Sequence, residues 1–201
     1  MRLGLFGGSF DPVHYGHLVL AESCREQCGL DRVWFIPAAA PPHKLQRELS
    51  SPAHRVEMLR LAIGGHEGFE LSTVEIDRGG VSYTIDTIRE IRRQQPHAEL
   101  YLLMGADSLV DLPLWRHPGE ICREAIPVAV RRAGSPEPDF SLLNGVADDR
   151  RLEDVKRCQV EMPLVGFSSS EIRQRVQQGL SIRYHTPRAV EKYIETHSLY
   201  R

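Results

Sequence analysis

The sequence lacks any long apolar run. No stretch of the 201 residues approaches the roughly 20 consecutive apolar residues that a transmembrane helix requires. The first ten residues, MRLGLFGGSF, also make a poor secretory signal, because Gly4, Gly7 and Gly8 interrupt the apolar residues and no A-x-A cleavage site follows. We therefore expect a cytoplasmic protein with no membrane partner.

Charge of one sign is not in excess, and cysteine is scarce. The 25 lysines and arginines nearly balance the 27 aspartates and glutamates, which gives no bulk electrostatic reason to expect a nucleic-acid partner. A chain with this supply of apolar residues does not need its four cysteines as disulfides, so we expect reduced thiols. Cys24 and Cys28 lie four apart, but no further His or Cys at ligand spacing completes a metal site.

What the sequence does contain is a regular alternation of apolar runs and helical patterns. Residues 3–6, 33–36, 100–104 and 126–130 are continuously apolar apart from Gly4 and Pro127. Such runs are typical of parallel strands that helices cover on both faces. Residues 69–76 are predicted to form a further strand, and residues 126–130 to form the last clear one. The pattern predicts an α/β fold with a doubly wound parallel sheet.

Helical patterns occupy the stretches between these runs. We predict helices over residues 16–28, 52–63, 82–94, 168–178 and 187–197. Gly29 is predicted to end the first helix, and Ser51 and Ser168 to cap the N-termini of two others. Residues 131–151 are predicted to be a surface excursion with low local order. We expect one domain over the whole chain, with residues 165–201 as a small C-terminal helical part.

Residues 7–17, GGSFDPVHYGH, join the first predicted strand to the first helix. Two adjacent glycines allow a sharp turn and let a ligand approach main-chain N–H groups. His14 and His17 lie at the start of the helix, where the helix N-terminus favours phosphate and imidazoles can donate hydrogen bonds to its oxygens. The segment therefore predicts a phosphate-binding loop, although it has neither the Walker A nor the G-x-G-x-x-G order. A plain turn, or a zinc site of Asp11, His14 and His17, is a weaker interpretation.

The segment GGSFDPVHYGHL resembles the signature of the H-x-G-H nucleotidyltransferase superfamily, and the chain resembles bacterial nicotinate-nucleotide adenylyltransferases in particular. Four further stretches are similar to motifs of that family, in the same order along the chain. They are PPHK at 41–44, SYTIDT at 82–87, GADSLVDLPLW at 105–115 and FSSSEIR at 167–173. The likeness covers nearly the whole chain and implies a Rossmann-like nucleotidyltransferase fold.

The resemblance implies that ATP and nicotinate mononucleotide react to give nicotinate adenine dinucleotide and pyrophosphate, with Mg²⁺ as cofactor. The 5′-phosphate of the acceptor would attack the α-phosphorus of ATP in line, with no covalent enzyme intermediate. Catalysis then depends on aligning two anionic ligands, and positioning alone can supply on the order of 7 kcal/mol. A homo-oligomer is compatible with the sequence, which does not fix the oligomeric state.

The resemblance also assigns residues to roles. The expected catalytic residues are His14, His17, Lys44 and Arg173. The expected ATP-binding residues are Gly7, Gly8, Ser9, Phe10, His14, Gly16, His17, Gly105, Ser168, Ser169 and Arg173. The expected residues for nicotinate mononucleotide are Ser9, Lys44, Tyr83, Thr84, Asp107, Trp115 and Arg116, and no residue is expected to bind a metal directly. Trp115 would stack on the pyridine ring, Thr84 would hold the nicotinate carboxylate and Asp107 would accept from ribose hydroxyls.

Structural roles are the alternatives at several of these positions. Ser168 fits the N-cap of a capping box, Asp107 fits a helix N-cap and Trp115 fits an ordinary core residue. Lys44 and Arg173 could be solvated side chains.

One residue departs from the family pattern, which usually has asparagine after Pro37, where this chain has Ala38. The absence of that asparagine affects the acceptor pocket and not adenylyl transfer itself. Rival interpretations are an adenylyltransferase for nicotinamide mononucleotide or pantetheine phosphate, a fragment of a class I aminoacyl-tRNA synthetase, and a nucleotide sensor without catalysis.

Overall fold

The first strand, β1 (Arg2–Gly8), is a central strand of the sheet, and its apolar residues are covered on both faces. In the computed structural model, which describes residues 1–41 and 49–201, Leu3 and Leu5 of this strand are buried. A Cβ atom at Gly4 would lie 2.9 Å from the Cδ1 atom of Leu30, so glycine permits the close packing here. The continuous apolar run therefore forms a central strand, as predicted.

Six parallel strands form the sheet in the order β3-β2-β1-β4-β5-β6. The strands after β1 are β2 (Arg32–Pro37), β3 (Phe69–Leu71), β4 (Glu99–Gly105), β5 (Ile126–Arg132) and β6 (Val160–Met162). The chain builds the sheet on one side of β1 first and, from β4 onward, on the other side. This order confirms the doubly wound fold. Ligands bind at such a reversal beyond the carboxyl ends of the strands, which here are the ends of β1 and β4.

Helices connect the strands. They are α1 (Tyr15–Gln27), α2 (Pro52–Ile63), α3 (Val74–Arg78), α4 (Thr84–Gln94), α5 (Ala106–Asp111), α6 (Pro118–Glu124), α7 (Asp149–Arg157), α8 (Ser169–Gln177) and α9 (Arg188–Thr196). The predicted caps are confirmed. Ser51 Oγ accepts from the His54 N–H at 3.4 Å, Ser168 Oγ accepts from the Glu171 N–H at 3.1 Å, and Gly29 follows α1 with φ of 59°.

The strand predicted over residues 69–76 is wrong beyond Leu71. β3 ends there, and α3 begins three residues later. The Thr73 carbonyl accepts from the Asp77 N–H at 2.8 Å, and the Thr73 hydroxyl donates to the Asp77 carboxylate at 2.7 Å. A short apolar run does not by itself distinguish a strand from a buried helix, and here local helical hydrogen bonds replace the sheet ladder.

Residues 126–130, predicted as the last clear strand, do form β5, but a further short strand follows them. β6 follows at the edge of the sheet, where Val160 pairs with Val130 and Met162 with Arg132. The segment 131–151 is more ordered than predicted, because it includes the end of β5, a 3-10 turn at Phe140–Leu143 and the start of α7. Leu143 is fully buried and anchors this segment to the core. The short helices α5, α6 and α7 were not predicted at all.

Within residues 1–41 and 49–201, no helix has the length and apolar character needed to cross a membrane. The four cysteines are buried free thiols.

Candidate active site

Two cavities open at the carboxyl edge of the sheet, and both reach Gly105 at the end of β4. We call them the β1–β4 cavity and the α1–α8 cavity. The β1–β4 cavity has a volume of about 280 Å³ and the α1–α8 cavity about 470 Å³. They lie where the strand order reverses, so the predicted crevice is present and has two compartments.

The β1–β4 cavity is mainly apolar. Its apolar wall comes from Leu5, Phe6, Ile36, Ala38, Pro41, Ile88, Leu102, Leu103, Met104 and Trp115. Its other lining residues are Gly7, Gly8, Ser9, Glu75, Ser82, Thr84, Thr87, Gly105 and Ser108. An apolar slot with a few polar groups suits a flat ring that carries one or two polar substituents.

The α1–α8 cavity is more basic. It is lined by His14, Gly16, His17, Leu20, Gly105, Ala106, Val130, Arg131, Arg132, Ser135, Pro136, Met162, Val165, Phe167, Ser168 and Ser169. Among the described side chains of this lining, two are arginines, two are histidines and none is a carboxylate. Helices α1 and α8 both begin at this cavity, and helix N-termini favour negative charge. The lining therefore suits a polyanion.

His14 and His17 are held by each other at the start of α1. Their rings stack with centroids 3.7 Å apart and an interplanar angle of 28°. The main-chain N–H of His14 donates to Nδ1 of His17 at 3.2 Å. Because Nδ1 accepts this bond, the hydrogen of a neutral His17 ring lies on Nε2. Phe10 packs edge-on against His17, with ring centroids 5.0 Å apart, and supports this orientation.

Burial controls the protonation of His14. This residue is only 7% exposed, and burial lowers the pKa of its imidazole from 6.5 to about 4. His14 is therefore neutral near pH 7 and can donate one ring hydrogen without carrying a fixed charge.

Gly16 makes room for His14. A Cβ atom at position 16 would lie 3.0 Å from both Cε1 and Nδ1 of the His14 ring. The space above Gly16 is thus occupied by an imidazole of the same motif. A larger residue at this position would push the His14 ring aside.

The β1–α1 loop, residues 9–14, is fixed by side chains from distant parts of the chain. Four of its carbonyl oxygens accept such hydrogen bonds: Ser9 from Arg55 Nη1 at 3.1 Å, Asp11 from Arg173 Nη1, Pro12 from Ser169 Oγ at 2.9 Å and Val13 from Thr186 Oγ1 at 2.7 Å. Three of the four donors belong to the C-terminal helical part. That part therefore shapes the loop as well as lining the cavity.

A buried carboxylate lies on the wall of the β1–β4 cavity. Glu75 is 6% exposed, and its Oε1 accepts from the Thr87 hydroxyl at 2.6 Å. Arg78 Nη2 in turn donates to the Thr87 oxygen at 3.1 Å. This relay orients the carboxylate and places negative charge beside the cavity, which favours a cationic ring there.

The structure brings many of the predicted residues together. His14, Gly16, His17, Ser168 and Ser169 line the α1–α8 cavity. Ser9, Thr84 and Trp115 line the β1–β4 cavity, and Gly105 lines both. Gly7 and Gly8, which were expected on the ATP side, line the β1–β4 cavity instead.

Other predicted residues lie elsewhere. The Phe10 side chain is buried in the core, so it can contribute to a ligand site only through its main chain or by support. The Arg173 guanidinium donates to the Asp11 carbonyl and to Ser170 Oγ, the latter at 3.0 Å, beside the loop. Lys44 lies outside the described residues, and Asp107 is the second residue of α5.

Tyr83 and Arg116 pair with each other next to the β1–β4 cavity. Cζ of Arg116 lies 4.7 Å from the centroid of the Tyr83 ring, and Nη1 of Arg116 lies 3.7 Å from the Asp86 carboxylate. Tyr83 also precedes the first residue of α4. These contacts order the start of α4, where Thr84 lies.

Sequence reasoning missed three parts of the site. Residues 131–136 had no assigned role, yet four of them, Arg131, Arg132, Ser135 and Pro136, line the α1–α8 cavity at the end of β5 and just after it, where the end of a neighbouring strand could have pointed to them. Glu75 was not recognised as a site residue because residues 69–76 were predicted to be a strand. Arg55, which is fully buried and bonds to Ser9, had no local signal.

The comparisons with known proteins agree with this geometry. A model of the Cytidylyltransferase-like family matches residues 5–175. The chain is 46% identical over 204 residues to a protein of Thermus thermophilus described as a nicotinate-nucleotide adenylyltransferase, with 100% of both chains covered. A protein of Salinibacter ruber with the same description is 43% identical over 201 residues, which cover 100% of this chain and 98% of that one.

The fold is also found in a solved structure. The nicotinic acid mononucleotide adenylyltransferase of Plasmodium falciparum, complexed with NaAD, matches with a TM-score of 0.76 and 18% identity over 99% of this chain and 97% of that chain. At this identity the likeness concerns the fold alone. The ordered motifs, the full-length similarity and the strand order together show that this chain belongs to the Cytidylyltransferase-like family and, within it, to the nicotinate-nucleotide adenylyltransferases.

Proposed function

We propose that this protein transfers the adenylyl group of ATP to nicotinate mononucleotide, which yields nicotinate adenine dinucleotide and pyrophosphate, a step of NAD biosynthesis. The observation that carries the proposal is the pair of unlike cavities that meet at Gly105, one basic and one mainly apolar. Full-length relatives with this described activity support the same reaction.

ATP is proposed to occupy the α1–α8 cavity. Its triphosphate carries the negative charge that the histidines, the arginines and the two helix N-termini of that lining favour. The Nε2–H of His17 and the ring N–H of His14 are the proposed donors to phosphate oxygens. Arg173, which now uses two guanidinium N–H groups on the loop and on Ser170, adds positive charge at the start of α8. Lys44 is proposed to reach a phosphate as a point charge.

Nicotinate mononucleotide is proposed to occupy the β1–β4 cavity. The indole of Trp115 would stack on the pyridinium ring. The positive charge of that ring strengthens the stacking by about 1–2 kcal/mol. The start of α4 at Thr84 would hold the nicotinate carboxylate, since helix N-termini favour anions. Glu75 on the same wall would face the positive ring and not the carboxylate. Asp107 is the proposed acceptor for ribose hydroxyls.

In the proposed reaction, an oxygen of the acceptor 5′-phosphate forms a bond to the α-phosphorus of ATP. The bond from that phosphorus to the oxygen bridging to the β-phosphorus breaks, and pyrophosphate leaves. No group of the protein becomes covalently attached. The protein aligns the two anions and offsets the charge that develops on the leaving pyrophosphate.

Mg²⁺ is proposed to arrive with ATP. Among the side chains that the structure describes, which exclude Asp107 as well as residues 42–48, no group of three or more His, Cys, Asp or Glu is arranged to hold a metal ion. Mg²⁺ commonly binds through substrate phosphates and water, which fits a lining without such a group. The ion is proposed to bind as part of the ATP substrate, where it would neutralise phosphate charge.

The test is pyrophosphate release from ATP and Mg²⁺ with each of three acceptors: nicotinate mononucleotide, nicotinamide mononucleotide and pantetheine phosphate. We expect the highest kcat/KM with nicotinate mononucleotide. Preference for the amide or for pantetheine phosphate would overturn the choice of acceptor. ATP binding without pyrophosphate release from any acceptor would identify a nucleotide sensor.

A further inference from the structure

Asp11 is a buried carboxylate in the middle of the β1–α1 loop. It is 2% exposed, so its charge requires close partners. Oδ1 accepts from the Tyr200 hydroxyl at 2.6 Å, and Oδ2 accepts from the Ser50 N–H at 3.3 Å. The two partners come from parts of the chain that lie 189 and 39 positions away. The carboxylate thus joins three separate segments under the site.

Arg55 provides the opposite charge. Its guanidinium donates to the Ser9 carbonyl at 3.1 Å and, through Nε, to the Ser50 carbonyl at 3.0 Å. Burial lowers the pKa of Arg55, and the nearby Asp11 charge opposes that shift. Arg55 and Asp11 therefore hold the same two segments, the loop and the residues around Ser50, from two sides.

Tyr200 reaches Asp11 through an unusual path of the main chain. Ser198 and Tyr200 have φ of 51° and 64°, values that non-glycine residues rarely adopt. Such conformations are strained and persist only where other contacts determine them. Burial and the Asp11 charge raise the pKa of the phenol, so Tyr200 stays protonated as a donor. The turn after α9 therefore serves to bring one hydroxyl under the loop.

We propose that Tyr200 is a positioning residue for adenylyl transfer: its hydroxyl fixes the Asp11 carboxylate and, through it, the loop that leads to His14 and His17. This inference rests on the function proposed above. The connection to the site is direct, because the main-chain carbonyl of Asp11 accepts from Arg173 while its side chain accepts from Tyr200. Tyr200 itself lines neither of the two cavities.

The test compares Tyr200→Phe with Tyr193→Phe as a matched control. Tyr193 lies on α9, and its hydroxyl bonds to Nδ1 of His54 at 2.9 Å, a hydrogen bond that involves no residue of the loop. At a temperature where all variants are folded, we expect Tyr200→Phe to lower kcat about tenfold, with KM for both substrates changed less than about threefold, as loss of a buried bond to a charged group predicts. Amide hydrogen exchange in peptides covering residues 9–14 should accelerate in this variant and not in the control.

A second variant tests the route through Asp11. Asp11→Asn keeps the shape and removes the charge, so it should accelerate the same exchange, and the double variant should lose less kcat than the product of the single losses. Unchanged exchange in Tyr200→Phe, equal effects in Tyr193→Phe, or multiplicative losses in the double variant would overturn the proposal. If the wild-type protein releases no pyrophosphate with any acceptor, the proposed function fails, whereas the exchange measurement still decides whether Tyr200 orders the loop.

Discussion

The ring of His14 lies stacked on the ring of His17, and the main-chain N–H of His14 donates to Nδ1 of the same partner. One residue thus fixes both the position and the tautomer of the other. A fixed ring position and a fixed tautomer are the properties expected of preorganised hydrogen-bond donors to phosphate.

Replacement of His17 by alanine should lower kcat roughly 100-fold or more, because one preorganised donor to the phosphates is lost. Steady-state pyrophosphate release measures the effect. His97→Ala, at an exposed position after α4, is the control and should change kcat little. A folded His17→Ala protein with kcat within threefold of wild type would exclude the proposed role.

His14 should make folding stability depend on pH. Its folded pKa of about 4 lies below the ordinary 6.5, so the unfolded chain binds more protons between these values. Stability is therefore full above about pH 6.5 and falls as the pH drops towards 4, by about 3 kcal/mol at most. Urea unfolding of wild type and His14→Gln at pH 7 and pH 5 should show a smaller loss in the variant. Equal losses would mean that His14 does not stay neutral in the fold.

Gly16→Ala should damage catalysis while the protein remains folded. The added Cβ would meet the His14 ring at 3.0 Å and displace it, so we expect kcat/KM to fall about tenfold through lost alignment. Gly119→Ala is the matched control, because a Cβ there lies at ordinary contact distances, with the nearest atom at 3.4 Å. Similar activity in both variants would contradict this account of Gly16.

Trp115→Ala should raise KM for nicotinate mononucleotide about tenfold, with a smaller effect on KM for ATP, since stacking on a cationic ring is worth about 1–2 kcal/mol. The only other tryptophan is Trp34, whose Nε1 donates to Glu70 at 2.6 Å outside the cavity. In a Trp34→Phe protein, the remaining fluorescence should be quenched by nicotinate mononucleotide. Fluorescence that does not respond to saturating acceptor would place the ring elsewhere.

Local sequence patterns were sufficient to predict the central strands of the sheet and the two strand ends that contain glycine. Continuous apolar runs identified β1, β2, β4 and β5, and parallel strands bring their carboxyl ends to one edge, so Gly8 and Gly105 could be placed together. β3 and β6 have three residues each, too few for a periodicity to distinguish them from a helix or a loop.

The site was predictable where a motif is contiguous and not where it depends on distant contacts. His14, Gly16 and His17 lie within four residues, whereas the bonds from Arg55 and Thr186 to the loop join positions 46 and 173 apart. Nothing near Arg55 in the sequence indicates which carbonyl it will meet, because that depends on how β1, α2 and α9 pack together.

Three of the four bonded carbonyl oxygens of the β1–α1 loop, those of Asp11, Pro12 and Val13, also determine when the site can form. Their partners at positions 169, 173 and 186 are made late in synthesis, long after the loop itself. A nascent chain that ends before α8 can pair its central strands but leaves these carbonyls without their partners. The complete set of loop contacts therefore requires the C-terminal helices, and local unfolding of those helices would release the loop.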